Sequence, residues 1–141
     1  MTPPTVLIDG SFLDALTEVD NEWRALAVDV YGALVDAYER HEVRLRARTD
    51  HLRRHPEHRR TLFAPIESMS VARQYERAGA ALQWSADVSA DAAVTLVMMK
   101  REKIRRIATF DPAFSEFEDV EVVRRATSQT EPPNALPSTG E

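Results

Sequence analysis

The chain has no cysteine. Disulfide frameworks, thiolate zinc sites and cysteine nucleophiles are therefore excluded, and the absence fits a reducing cytoplasm. Long hydrophobic runs are missing too. The longest, Ala92 to Met99, is interrupted by Thr95 and falls far short of the roughly 20 residues that a membrane-spanning helix needs. No N-terminal stretch combines a basic head, an apolar middle and a small-residue cleavage site, so no signal peptide is expected and the protein is read as cytoplasmic. Lysine occurs only at Lys100 and Lys103, and acidic residues outnumber basic ones to give a formal net charge of −5. That balance argues against generalised nucleic-acid binding.

What is present is one domain's worth of ordinary globular sequence. The 141 residues are 43% hydrophobic and 29% charged, enough to bury a core without staples. The basic charge is uneven: the stretch from Arg40 to Arg60 is rich in arginine and holds all four histidines. An acidic protein with one such region can still hold a polyanion locally.

Thr5-Val6-Leu7-Ile8 is a continuous apolar run ending in Asp9-Gly10, as a strand buried on both faces reads. Ser11 to Leu16 predicts a short helix. Trp23, Leu26, Ala27, Val30, Tyr31, Leu34 and Tyr38 then recur at helical spacing behind an Asn21 cap, and are read as an inner face. Val43 to Ala47 alternates with period two and predicts a strand with one polar face. Asp50 to Arg60, broken by Pro56, reads as a short helix or loop, and Leu62, Phe63 and Ile66 as an extended connection. A helix capped by Ser70 should carry Val71, Tyr75, Ala78 and Leu82 on its inner face. The segment from Ser89 to Arg101 is apolar almost all round and should be a central helix. Ile104 to Phe110 predicts a second buried strand, ended by Asp111-Pro112, and Val120 to Val123 an edge strand. Residues 1–125 are expected to form the domain and residues 126–141, rich in Thr, Ser, Pro and Asn, a disordered tail. Strands alternating with helices imply right-handed crossovers and a mainly parallel sheet in a three-layer α/β/α fold.

In such a sheet, ligands bind beyond the carboxyl ends of the strands, where strand order reverses. Asp9 and Asp111 end two strands, and Asp91 lies in the first turn of the most buried helix. Taken singly, each is a common turn or dipole residue. Three carboxylates on one rim would repel one another unless a cation sits between them. An all-oxygen set without His or Cys suits Mg²⁺ or Mn²⁺.

The motifs around these aspartates resemble those of PIN domains. Val6-Leu7-Ile8-Asp9-Gly10-Ser11-Phe12-Leu13 is similar to the opening strand, which ends in an acidic residue followed by a small or hydroxyl one. Ser89-Ala90-Asp91-Ala92-Ala93-Val94 resembles the later motif in which an aspartate starts an Ala-rich helix. Ile107-Ala108-Thr109-Phe110-Asp111-Pro112-Ala113-Phe114 is similar to the Thr-x-Asp-x-x-Phe signature. The resemblance spans roughly residues 5 to 123. It implies a PIN-type fold and a Mg²⁺- or Mn²⁺-dependent ribonuclease of the VapC-like toxin kind. Asp9, Asp91 and Asp111 would be catalytic metal ligands, with Ser11 and Thr109 in support. It further implies a homodimer and a small antitoxin partner that inserts a basic side chain into the acidic pocket.

The family's middle glutamate, on the helix after the second strand, has no counterpart: Leu52 or Arg53 falls there. Asp50 is the nearest substitute ligand, with Glu57 second and Asp87 lending charge from the other side. Arg46, Arg48, Arg53 and Arg54 are the candidates to hold the RNA backbone. His51, His55 and His58 are not expected to bind zinc, because Pro56 interrupts their helix and arginines surround them. Trp23, Tyr31 and Tyr38 are read as core rather than base-stacking platforms, and Trp84 as packing over a helix end, with a partner interface as its alternative. Two rivals stand beside the nuclease. One is a PIN-like domain with an eroded site that binds RNA or protein without cutting. The other is a phosphoacceptor receiver, disfavoured because both lysines precede the strand that ends at Asp111.

Overall fold

The computed structural model describes residues 2–124, so the expected C-terminal tail lies outside the described residues. Five strands form one all-parallel sheet in the order β3-β2-β1-β4-β5. They are β1 (Thr5–Ile8), β2 (Arg44–Arg48), β3 (Ile66–Met69), β4 (Arg106–Ala108) and β5 (Glu121–Val122). The helices are α1 (Gly10–Thr17), α2 (Arg24–Glu39), α3 (Thr49–Leu52), α4 (Arg73–Gln83) and α5 (Ala90–Arg101), with short 3₁₀ turns at Pro56–His58 and Pro112–Glu116.

Period-two alternation along the strands sorts the core into two layers. Val6 and Ile8 of β1, Leu45 and Ala47 of β2 and Ala108 of β4 pack with Phe12, Leu13, Val30 and Leu34 of α1 and α2. Leu7 and Ile107 face the other way, onto Ala92, Leu96, Met98 and Met99 of α5 and Phe114. In β2 the same alternation sends Arg44, Arg46 and Arg48 to the α5 side. Arg46 there meets Glu102 at the C-terminal end of α5, while Arg48 reaches Asp91 and Thr95 near its start. The polar face expected for this strand thus points under α5, where its last arginine is only 5% exposed.

Strand order reverses beside β1. The chain builds β2 and β3 outward on one side, then crosses to add β4 and β5 on the other. The crevice that this opens, at the carboxyl ends of β1 and β4, is where ligand sites form in parallel sheets.

Several sequence expectations need correcting. The connection at Ile66 is a strand, β3, paired with β2 from Leu45↔Ile66 to Arg48↔Met69. Its pattern is buried only at the two ends, as suits an edge, so no alternation announced it. The strand expected over Ile104 to Phe110 is shorter, Arg106–Ala108. Helix α4 starts at Arg73 with Ala72 at its N-cap and no side-chain cap, so Ser70 does not cap it. Helix α2 starts at Arg24, which leaves Trp23 outside it. The buried stripe of α2 is Ala27, Val30, Tyr31, Leu34 and Ala37, whereas Trp23, Leu26 and Tyr38 are exposed. Trp84, at the end of α4, is 92% exposed and packs over nothing.

Two helical glycines make opposite tests of this packing. A Cβ at Gly79 would lie 3.0–3.2 Å from the side chain and backbone of Val94, so α4 and α5 touch through its missing side chain. At Gly32 on α2 a Cβ meets nothing within 4 Å. Gly32→Ala should therefore raise the urea unfolding free energy by about 0.5–1 kcal/mol, the ordinary helix gain. Gly79→Val should lower it by about 1–3 kcal/mol through overpacking.

Candidate active site

Asp9 ends β1 and stands at the N-cap of α1, with its backbone N–H donating to the Ala108 carbonyl at 3.0 Å. Its carboxylate caps nothing in that helix. Instead Oδ2 accepts from Ser11 Oγ at 2.8 Å and from Thr109 Oγ1 at 2.7 Å. The two hydroxyls also secure the turn after β4: Ser11 Oγ accepts the Phe110 N–H and Thr109 Oγ1 the Asp111 N–H, each at 3.0 Å. An ionised side chain only 5% exposed needs such donors to offset desolvation.

Asp91 enters from the opposite layer. Ser89 caps α5 by accepting from the Ala92 N–H, which places Asp91 in the first turn with its side chain 59% exposed. Two side chains of the chain itself meet its carboxylate: the Arg48 guanidinium, with Nη1 at 3.1 Å, and the His51 imidazole, with Nε2 at 3.1 Å, both from Oδ1. The hydrogen bond with His51 holds the Asp91 carboxyl below its usual range against the opposing effect of burial, and the charges of His51, Arg48 and Arg54 add to it. The repulsion expected of a carboxylate-only cluster is thus not what Asp91 experiences. The Arg48 guanidinium already stands beside it.

Asp9, His51 and Asp91 each offer one ligand atom, and these atoms all lie within 4.8 Å of one another. His51, 3% exposed, hangs from α3 immediately after β2, so it belongs to the same rim as the end of β1. Its Nδ1 is buried without a hydrogen-bond partner and lies against Gly10, where a Cβ would come within 3.1 Å of the ring. The same Cβ would meet the Arg54 guanidinium at 2.7 Å, so any larger residue after Asp9 would have to displace Arg54 and press on the imidazole. The sequence signal for His51 was its place three residues beyond a strand end. Pairing it by i, i+4 spacing with His55 concealed that, since His55 turns away to bond Asp14 at 2.8 Å.

The other expected ligands are placed differently. Asp111 is not among the three clustered donors; its Oδ1 accepts from the Ala113 N–H and caps the 3₁₀ turn at Pro112–Glu116. It remains close by, because its own N–H is held by the Thr109 hydroxyl that binds Asp9. Asp50 is gripped through both oxygens by Arg48, at 3.0 and 2.6 Å. Burial raises its pKa, but Arg48 outweighs this and lowers it overall. Among the arginines expected on RNA, Arg48 is committed to these internal bonds, Arg54 donates to Asp14 and the Gly10 carbonyl, Arg46 faces Glu102, and Arg53 is exposed.

Two carboxylates and an imidazole within reach of one point make a donor set for a divalent ion of intermediate softness. The all-parallel sheet with this cluster at its crossover defines an α/β domain with a candidate acidic site at the carboxyl ends of its strands. The chain is similar in structure to VapC20 of Mycobacterium tuberculosis, a toxin that cleaves the sarcin–ricin loop, with a TM-score of 0.59 over 82% of this chain and 98% of that one at 15% identity. No family model and no curated protein matches the sequence. Among the described residues no helix is long and apolar enough to cross a membrane.

Internal compensation sets the sign of one test. Asp91→Asn, in the presence of EDTA, leaves the buried Arg48 and His51 facing a neutral amide. The variant should unfold at lower urea concentration than the wild type, by about 1 kcal/mol given the exposure of the carboxylate. A gain in stability would restore the picture of mutually repelling carboxylates.

Proposed function

We propose that the protein is a divalent-metal-dependent endoribonuclease that hydrolyses RNA phosphodiester bonds in the cytoplasm, as the toxin of a VapBC-like toxin–antitoxin pair. The observation that carries this reading is the convergence of Asp9, His51 and Asp91 at the crossover of a PIN fold. These three side chains would hold the ion, which when bound supplies an activated water and neutralises charge on the phosphodiester. With a nitrogen donor in the set, Mn²⁺ should be preferred to Mg²⁺.

The remaining residues have parts that follow from their bonds. Ser11 and Thr109 fix the Asp9 carboxylate and join it to the β4 turn. Arg48 orients Asp91 and Asp50 from beneath and is a positioning residue rather than an RNA contact. Asp111, on the neighbouring wall, extends the acidic rim, while Arg53 and Arg54 supply positive charge for the RNA backbone; Arg46, held under α5 against Glu102, is not assigned to it. A homodimer and an antitoxin accompany this reading. An antitoxin's basic side chain entering the pocket would compete with the metal.

One observation favours a second reading, a PIN-like domain that binds RNA or protein without cutting: the Arg48 guanidinium already pairs with Asp91. Metal binding separates the two. In the nuclease, Mn²⁺ should raise the unfolding temperature, by the equivalent of about 2.7 kcal/mol at a hundredfold excess over its Kd. It should also support cleavage of an unstructured RNA that EDTA stops. Asp9→Asn should abolish cleavage and most of the Mn²⁺ stabilisation, and His51→Gln should weaken Mn²⁺ binding more than Mg²⁺ binding. Intact RNA together with an unfolding temperature indifferent to Mn²⁺ would leave the non-cleaving domain.

A further inference from the structure

Beside the carboxylate cluster lies a stack of three aromatic rings. Phe110, in the turn after β4, lies parallel to Phe12 of α1, with centroids 5.4 Å apart and planes 7° apart. Trp23 lies parallel to Phe110 in turn, at 5.1 Å and 12°. Phe12 is fully buried, but Trp23, just before α2, remains 45% exposed. The stack borders a slot of about 300 Å³ whose lining includes Thr109, Asp111 and Arg124. Its wall is therefore continuous with the site, since the Thr109 hydroxyl is the one that holds Asp9.

A large indole left half in water at the end of a buried stack is a surface that gains from a flat apolar cover. Nucleobases are such covers. Proteins hold single-stranded nucleic acid by stacking splayed bases on aromatic rings, with cations alongside for the phosphates. The slot has the aromatic platform, an arginine at its edge in Arg124, and a shared wall with the phosphodiester site. A volume of about 300 Å³ is at the small end of ligand pockets, suited to one base rather than a helix of a partner.

We infer that the Trp23–Phe110 stack is a base-binding subsite, which seats one unpaired nucleobase of the RNA next to the bond that the carboxylate cluster cuts. This rests on the ribonuclease reading above and adds a specificity element to it: the target must offer an unstacked base beside the cleaved position, which disfavours duplex RNA. Phe110 carries the platform, and Trp23 is its exposed face.

Tryptophan fluorescence tests this directly, because the chain has only two tryptophans. In Trp84→Phe, Trp23 is the sole reporter. A 2′-O-methyl-protected eight-nucleotide single strand should quench it saturably, and an all-abasic strand of the same length should bind about tenfold more weakly, within the range that one base–aromatic stack contributes. By anisotropy with end-labelled strands, Trp23→Ala should bind the base-bearing strand about as weakly as wild type binds the abasic one, and Trp23→Tyr should recover most of the loss. Unchanged thermal unfolding of Trp23→Ala shows that the loss is local. Equal binding of the base-bearing strand by wild type and Trp23→Ala, while wild type still cleaves RNA with Mn²⁺, overturns the subsite and leaves the nuclease standing. If wild type neither binds nor cleaves RNA, the ribonuclease reading fails and the subsite with it. If Trp23→Ala alters only the sedimentation of the protein and not its RNA binding, the slot is a protein contact and the inference is wrong.

Discussion

A carboxylate that is almost wholly buried at the mouth of a parallel sheet is the constraint around which the site is arranged. Asp9 is forced there by topology. It ends the central strand, from which the chain goes on to build one side of the sheet and later returns to build the other. An anion in that position is tolerated only with donors on hand. Ser11 and Thr109 supply them from the two elements that flank the crevice, and each also satisfies a backbone N–H of the β4 turn. One small network therefore fixes the charge and holds together the ends of β1 and β4.

The second organising charge is Arg48. Strand alternation places it beneath the first turn of α5, buried, where it bonds the Asp91 carbonyl, Thr95 and both oxygens of Asp50. It gives the acidic rim its counter-charge from within the chain. A cation held by Asp9, His51 and Asp91 would thus enter a site that is already partly balanced, and would compete with Arg48 for Asp91. This differs from a cage of bare carboxylates, which is strained when empty and relaxed when filled. In the present arrangement the metal affinity of the donor set would depend on how far Arg48 yields Asp91.

The aromatic stack shows how a local pattern misleads at an element boundary. Trp23 has the helical spacing of a core residue relative to Leu26 and Val30. The helix begins one residue later, however, and the indole finds its neighbour in Phe110, distant in sequence, rather than along its own helix. Trp84, likewise assigned to packing, is open to solvent. Periodicity identifies a face only inside an element, because the 3.6-residue repeat loses its meaning where the backbone leaves the helix.

Alternating apolar runs, each ending in an aspartate or a cap, determined the parallel α/β class, the burial of β1, the central place of α5 and the rim on which Asp9 and Asp91 lie. These are local properties, carried by spacing and by the chemistry of strand and helix ends. Tertiary structure alone decided which side chains share that rim. It brought His51 to Asp91, tied Asp111 to its own turn, consumed Asp50 on Arg48 and turned Ile66–Met69 into an edge strand. None of these pairings has a period or a fixed sequence separation. They depend on how two layers of helix close over the sheet, and on which buried charge finds a partner there.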